Sequence, residues 1–255
     1  TADFSTFGDE GFEQDTFDIV LGTWGQASQP DGDGDSTVML WRMPKPLLNV
    51  MLNRDSVHGE EWPPGAEVTL TIDDPATGGS PDYTDIQTVT TEAPGYGYPW
   101  GYTWVDFDLD GVFDVEPGHT VVLTDGVTTK GHIVSNLAAT TIDVDADVVS
   151  GTANPGADVY VMAGLFALAF RHQVADGGGN WTADFSTPGD EPDEEETFDI
   201  VPGDGSFLQH EEDADGDYTY GNWYVFNTLI MVLPINNWVL AFHWPSGAEV
   251  TLTID

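Results

Sequence analysis

WPPGAEVTLTID, residues 62–73, decides the fold class. Val68, Leu70 and Ile72 alternate with Thr69 and Thr71, which is the two-residue period of a strand with one face buried. The Pro64-Gly65 pair ahead of them supplies a turn. The segment returns at residues 244–255, an offset of 182, with Ser246 in place of Pro64 as its single change.

The recurrence belongs to something larger. Residues 1–22 align with residues 182–203 at an offset of 181, with 16 of 22 positions identical, including the blocks TADFST, GDE and TFDIV. Between these anchors Asp31, Asp33, Gly34, Asp35 and Trp41 correspond to Asp213, Asp215, Gly216, Asp217 and Trp223. The repeating unit is therefore about 181 residues, and the 255-residue chain holds one unit and part of another. One unit is too long for a single sandwich of about 100 residues, which implies two sandwiches per unit. Boundaries near Pro44, Ser135 and Phe226 divide the chain into segments 1–43, 44–135, 136–225 and 226–255. The expectation is a window on a longer array, its last strand pairing with a strand further along that array or with a neighbouring molecule. The opening Thr-Ala-Asp-Phe-Ser has neither a basic start nor an apolar stretch, so no signal peptide is read in it.

Turn signals fill the intervals. Residues 120–124 and 127–134 flank Asp125-Gly126, a dipeptide suited to a tight hairpin. Pro-Gly pairs at Pro64, Pro94, Pro117, Pro155, Pro188 and Pro202 punctuate the remaining runs. Short strands with frequent turns predict an all-β chain of antiparallel sandwiches.

Composition narrows the partners. Forty-five acidic residues face five basic ones (Arg42, Lys45, Arg54, Lys130 and Arg171), a formal charge of -40. Such a field repels phosphate and anionic lipid, which excludes nucleic acid, and it attracts divalent cations. With 40% apolar and 12% aromatic residues the chain can still build a core. It has no cysteine, so stability must come from burial, strand pairing or bound ions. No run of 18 or more apolar residues exists, so no membrane-spanning helix is expected.

Residues 149–161, VSGTANPGADVYV, followed by ADGGGNW at 175–181, resemble the bacterial Ig-like (Big-type) repeat domains of large surface and secreted proteins. The resemblance covers residues 137–201, and residues 1–20 repeat its C-terminal strands. It implies tandem Ig-like antiparallel β-sandwich domains, two per repeat, and a core position for Trp181. It also implies an extracellular or cell-surface location. The third glycine of the 177–179 run and the apolar stretch 165–170 depart from the family pattern, which leaves residues 159–170 open between strand and short helix. The segment 44–135 resembles the partner domain that accompanies such repeats, though its strands rest on periodicity.

Candidate chemistry is sparse. No nucleophile elbow, zinc-protease helix, phosphate loop or cysteine nucleophile occurs, and the six histidines are scattered, so no enzyme is expected. Asp31, Asp33 and Asp35, echoed by Asp213, Asp215 and Asp217, can aim alternate hard oxygens at one Ca²⁺ from a glycine-relieved loop. The competing reading is a solvated acidic turn. Asp106, Asp108 and Asp110 have similar spacing, but Val105, Phe107 and Leu109 alternate with them as the buried face of a strand. Tyr96, Tyr98, Trp100, Tyr102 and Trp104 are either a glycan-stacking platform or a core strand with an aromatic loop. The acidic run 189–199 reads as a solvated loop, and Asn180-Trp181-Thr182 is a glycosylation-type triplet.

The function expected is a non-enzymatic structural repeat protein of a filament, sheath, surface layer or adhesin stalk, with copies of itself as partner. The alternative is a calcium-dependent carbohydrate-binding module array that meets surface glycans.

Overall fold

In a computed structural model of the chain, the described residues are 3–8, 15–92, 101–164, 168–211, 216–244 and 247–254. They are strands, turns and extended segments, with one 3-10 turn at Leu52–Arg54. No helix among them is long and apolar enough to cross a membrane. The chain divides into two compact units. The first comprises residues 1–49, 56–113 and 120–132, and the second comprises residues 50–55, 114–119 and 133–255.

The strands that lie wholly or mostly in the first unit, in chain order, are β1 (Trp24–Pro30), β2 (Ser36–Arg42), β3 (Leu47–Met51), β4 (Ser56–Glu60), β5 (Glu67–Asp73), β6 (Tyr83–Thr88), β7 (Thr90–Glu92), β8 (Tyr102–Asp108), β9 (Thr120–Thr124) and β10 (Thr129–Ile133). One sheet has the order β10-β9-β5-β6, and β3, β4, β8 and β7 lie side by side in another. β5 is the strand that its alternation predicts. It pairs antiparallel with β6 (Leu70↔Asp85) and with β9 (Leu70↔Leu123). Val68, Leu70 and Ile72 are fully buried with Leu48, Val57, Trp62, Phe107, Leu109, Val121 and Leu123. Trp62 closes one end, its Nε1 donating to the Leu47 carbonyl at 3.1 Å while its own carbonyl accepts from Thr103 Oγ1 at 2.8 Å. Residues 120–133 form the expected hairpin, with Gly126 at φ 84°. Its turn is longer than the Asp125-Gly126 dipeptide, however. Asp125 Oδ1 accepts the amides of Val127 and Thr128, which holds these two residues in the turn, and β10 begins at Thr129.

The second unit carries β11 (Leu137–Asp143), β12 (Val148–Ala153), β13 (Asp158–Ala163), β14 (Ala169–Val174), β15 (Asn180–Asp184), β16 (Gly205–Glu211), β17 (Tyr218–Tyr224), β18 (Leu229–Leu233) and β19 (Trp238–Phe242). β11-β12-β15 make one sheet, and β14-β13-β16-β17 lie side by side in another. Between them sits a core of Val149, Val159, Val161, Trp181, Phe185, Ile200, Leu208 and Trp223. β18 and β19 form a separate antiparallel hairpin. Residues 159–163 and 169–170 are strand, so the open question there resolves against helix on both sides of 165–167, which lie outside the described residues. Val159 and Val161 alternate with exposed Asp158 and Tyr160, the pattern of a strand with one buried face.

The period of the sequence reappears in the backbone. β17, β18 and β19 begin and end 182 residues after β2, β3 and β4. Left-handed residues recur at the same spacing: Asp55 (φ 46°) with Asn237 (54°), Glu61 (57°) with His243 (58°), Gly34 (102°) with Gly216 (89°) and Gly65 (73°) with Gly247 (78°). For the two non-glycine pairs the residue type changes while the strained conformation stays.

Candidate functional site

The acidic loop is the turn of the β1–β2 hairpin. The Asp31 amide donates to the Asp35 carbonyl at 2.8 Å, and Gly34 takes the left-handed conformation that closes the turn. Asp33 donates its amide to Asp31 Oδ1 at 3.3 Å. One carboxylate oxygen from each of Asp31, Asp33 and Asp35 lies within 4.8 Å of the others, and all three residues are exposed. Hydrogen bonding with the Asp33 side chain, and then with the Asp33 amide, holds the Asp31 carboxyl below the usual carboxylate range. Three hard oxygens this close together can supply part of a Ca²⁺ shell of 6–8, the rest coming from backbone and water. In the repeated loop Asp213 and Asp215 lie outside the described residues, and Asp217 is fully buried. The two loops therefore offer different environments at their third aspartate.

Of the aromatic stretch, Tyr96, Tyr98 and Trp100 lie outside the described residues. Tyr102 and Trp104 belong to β8, on the face opposite buried Val105 and Phe107, and their rings stack at 5.4 Å and 21°. Asp106 continues that face, and the β4 register sets Glu60 opposite Trp104 and His58 opposite Asp106. His58 Nδ1 lies 2.5 Å from Asp106 Oδ1, and its Nε2 lies 3.3 Å from the Tyr102 hydroxyl and 3.6 Å from Glu60 Oε1. Asn49 Nδ2 donates to the same Glu60 oxygen at 3.1 Å. Two half-buried rings beside two carboxylates and an imidazole offer an aromatic surface with polar groups at its edge, the combination that can pack a sugar ring and bond its hydroxyls, whereas Asn49, 1% exposed, supports Glu60 from below. Sequence reasoning missed His58 and Glu60, because only strand pairing brings β4 beside β8. The face is not carried by the repeat: Asn49, His58 and Glu60 correspond to Met231, Leu240 and Phe242.

The strand reading of that acidic stretch holds as far as Asp108, where β8 ends with Asp106 and Asp108 exposed. Leu109 just beyond is fully buried, and Asp110 lies in the turn that follows, its amide donating to Asp108 Oδ1 at 3.3 Å. Asn180 opens β15, exposed at the end of the 176–180 hairpin, where its Nδ2 donates to Asp176 Oδ1 at 3.2 Å. The amides of Asn180 and Gly178 hold the Asp176 carboxyl below its usual range.

The acidic run 189–199 requires a correction, because Glu194 within it is 4% exposed rather than solvated. It is drawn inward because its carboxylate satisfies loop amides. Oε1 accepts from the His172 amide and Oε2 from the Asp190 amide at 3.1 Å. Beside it Arg171, 2% exposed, spreads its guanidinium over backbone carbonyls: Asp184 (2.6 Å), Thr187 (2.5 Å), Phe170 (2.5 Å), Glu196 (3.1 Å) and Glu194 (3.3 Å). It also lies 4.9 Å over the Phe185 ring. Asp184 is held below its usual range chiefly by the Ser186 side chain and amide, with Arg171 adding a smaller Coulombic contribution. This constellation ties a loop to a sheet, and its groups are consumed by the fold.

No family model matches the chain, and no curated protein or solved structure matches it.

Proposed function

We propose that the chain is a non-enzymatic structural repeat protein, a length of an extracellular or cell-surface filament, sheath, surface layer or adhesin stalk. Its domains are tandem Ig-like β-sandwiches, two to each repeat of about 181 residues. The observation that supports this reading is the repeat itself, together with the two compact units, each of which buries a core of its own. A molecule built this way gains length by adding units rather than by enlarging one core, which suits a rod or lattice. The charge of -40 suits a surface exposed to salt and divalent cations, and it keeps neighbouring rods from clumping. Copies of the same chain are the proposed partner, and Ca²⁺ at Asp31, Asp33 and Asp35 is a proposed cross-link or stiffener.

A second reading is favoured by the Tyr102–Trp104 face, namely a calcium-dependent carbohydrate-binding array that meets surface glycans. Electron microscopy of the native material with and without EGTA separates the two. The structural reading expects ordered filaments or sheets, which loosen in EGTA if calcium joins the units. Dispersed single molecules in both samples would sink it and leave the glycan reading in front.

A further inference from the structure

The two outer faces of the second unit's sandwich are unlike. On the β11-β12-β15 sheet the register sets Ser150 opposite Thr182 and Thr152 opposite Asn180, short polar side chains with Asp184 beyond them. The outer face of β14-β13-β16-β17 is built largely of rings. One row crosses all four strands in register: His172 stands opposite Tyr160, Tyr160 opposite Gln209, and Gln209 opposite Tyr220. The row beside it adds Phe170 opposite Met162 and Phe207 opposite Asn222. All eight are at least partly exposed, Tyr160 to 39% and Phe207 to 47%, while Val159, Val161, Leu208 and Trp223 between them along the strands turn into the core. The rings lie along the surface against one another, Tyr160 with His172 at 4.6 Å and 30°, Phe207 with Tyr220 at 6.5 Å and 49°.

The fold does not ask for rings here. Serine and threonine serve the opposite sheet, and in the other copy of the repeat Phe207, Gln209, Tyr220 and Asn222 are replaced by Gly25, Ala27, Val38 and Leu40. A contiguous exposed aromatic face marks an interaction site. Charge says of what kind. The chain carries 45 carboxylates, yet these eight positions hold none, and Asp158 stands at the margin, 3.6 Å from His172. The face has no lysine or arginine to meet an anion either. A second copy of this chain would bring its own charge of -40 with no cation here to offset it. A neutral partner fits, and the tyrosine hydroxyls and the Gln209 amide donate and accept hydrogen bonds without charge.

We propose that this face is a platform for an extended, neutral polysaccharide lying across the four strands along the row from His172 to Tyr220. Tyr160 and Tyr220 stand two strand spacings apart, about 10 Å, which is close to the length of one disaccharide in an extended β-linked chain. Alternate sugars pack on the two rings, and Gln209 between them bonds hydroxyls. The platform shares no residue with the Tyr102–Trp104 face and does not rest on it.

The test measures depletion of the 255-residue chain from solution by suspended microcrystalline cellulose and by chitin, with gelled polygalacturonate as an anionic probe. Binding to a neutral polymer with little dependence on NaCl is expected. Tyr160→Ala with Tyr220→Ala is expected to weaken it about tenfold or more, with amide exchange in the core strands unchanged. Tyr160→Thr alone, which keeps a strand-forming side chain, is expected to lose about fivefold. Thr152→Ala with Thr182→Ala, on the opposite sheet, is expected to bind as the unsubstituted chain does. Failure of the unsubstituted chain to bind either neutral polymer overturns the inference, as does equal or tighter binding to polygalacturonate. Binding that survives the two tyrosine substitutions but is lost with Tyr102→Ala and Trp104→Ala overturns it too, and leaves the glycan reading of that other face standing. A dimer in sedimentation equilibrium that the Tyr160 and Tyr220 substitutions dissolve, without polymer binding, assigns the face to a second copy and overturns it as well.

Discussion

Single residues explain how so acidic a chain packs its tryptophans and its few buried polar groups. Tryptophan meets glycine three times: Gly25 lies opposite Trp41, Gly151 lies opposite Trp181, and Gly59 lies under Trp62. A β-carbon at these glycines would stand 2.5 Å, 2.3 Å and 2.8 Å from the indole, so the bare α-carbon is what lets each ring lie flat on the sheet. Arg171 does the comparable work for polar groups. Its five carbonyl partners leave no room for a shorter or non-planar cation. Arg171→Ala is expected to cost about 3 kcal/mol of unfolding free energy, because buried carbonyls lose their donor. Arg171→Lys should recover only a small part of this, since an ammonium cannot fork. Urea unfolding followed by near-ultraviolet circular dichroism checks both, and a loss under about 0.5 kcal/mol for Arg171→Ala would make the cluster incidental.

At the scale of the element, strand identity depends on neighbours as much as on letters. Leu70 and Leu252 occupy the same place in the same sequence, one at 0% and the other at 55% exposure. Leu70→Ala is therefore expected to destabilise the first unit by about 3 kcal/mol through lost burial and a cavity. Leu252→Ala should change stability by less than about 0.5 kcal/mol. Equal effects of the two substitutions, measured by thermal and denaturant unfolding, would contradict the difference in packing. The same contrast shows what the sequence makes legible. β5 and the β9–β10 hairpin can be read because their alternation and turn residues point the same way as their partners do. Residues 159–170 are ambiguous in sequence, because a short apolar run has no period that separates strand from helix. Glu194 is easily misread, because a carboxylate in an acidic run looks solvated until the amides it serves are seen. Of the candidate sites, the Asp31 loop is legible because its ligands are local in sequence. The His58–Glu60–Trp104 face is not, because it exists only through the register of β4 on β8.

For the whole molecule the governing quantity is charge. With 45 carboxylates against five cations, any compact arrangement works against its own field, and the repulsion is long-ranged at low salt. The unfolding midpoint is therefore expected to rise with NaCl concentration as the field is screened, most steeply below about 0.15 M, where the Debye length shrinks to about 8 Å. Screening and site binding make different demands on a divalent ion. A diffuse field responds to ionic strength and treats Ca²⁺ and Mg²⁺ nearly alike, whereas three flexible carboxylates in a turn suit the larger ion and its irregular shell better than the octahedral one. At constant ionic strength, Ca²⁺ is thus expected to slow amide exchange in the β1–β2 hairpin more than Mg²⁺ does. The substitution of Asp31, Asp33 and Asp35 by Asn should abolish that difference while leaving the NaCl response of the midpoint in place. A calcium preference that persists in the triple variant would assign the effect to another group of the molecule's carboxylates, and the hairpin would then be an acidic turn that calcium passes by.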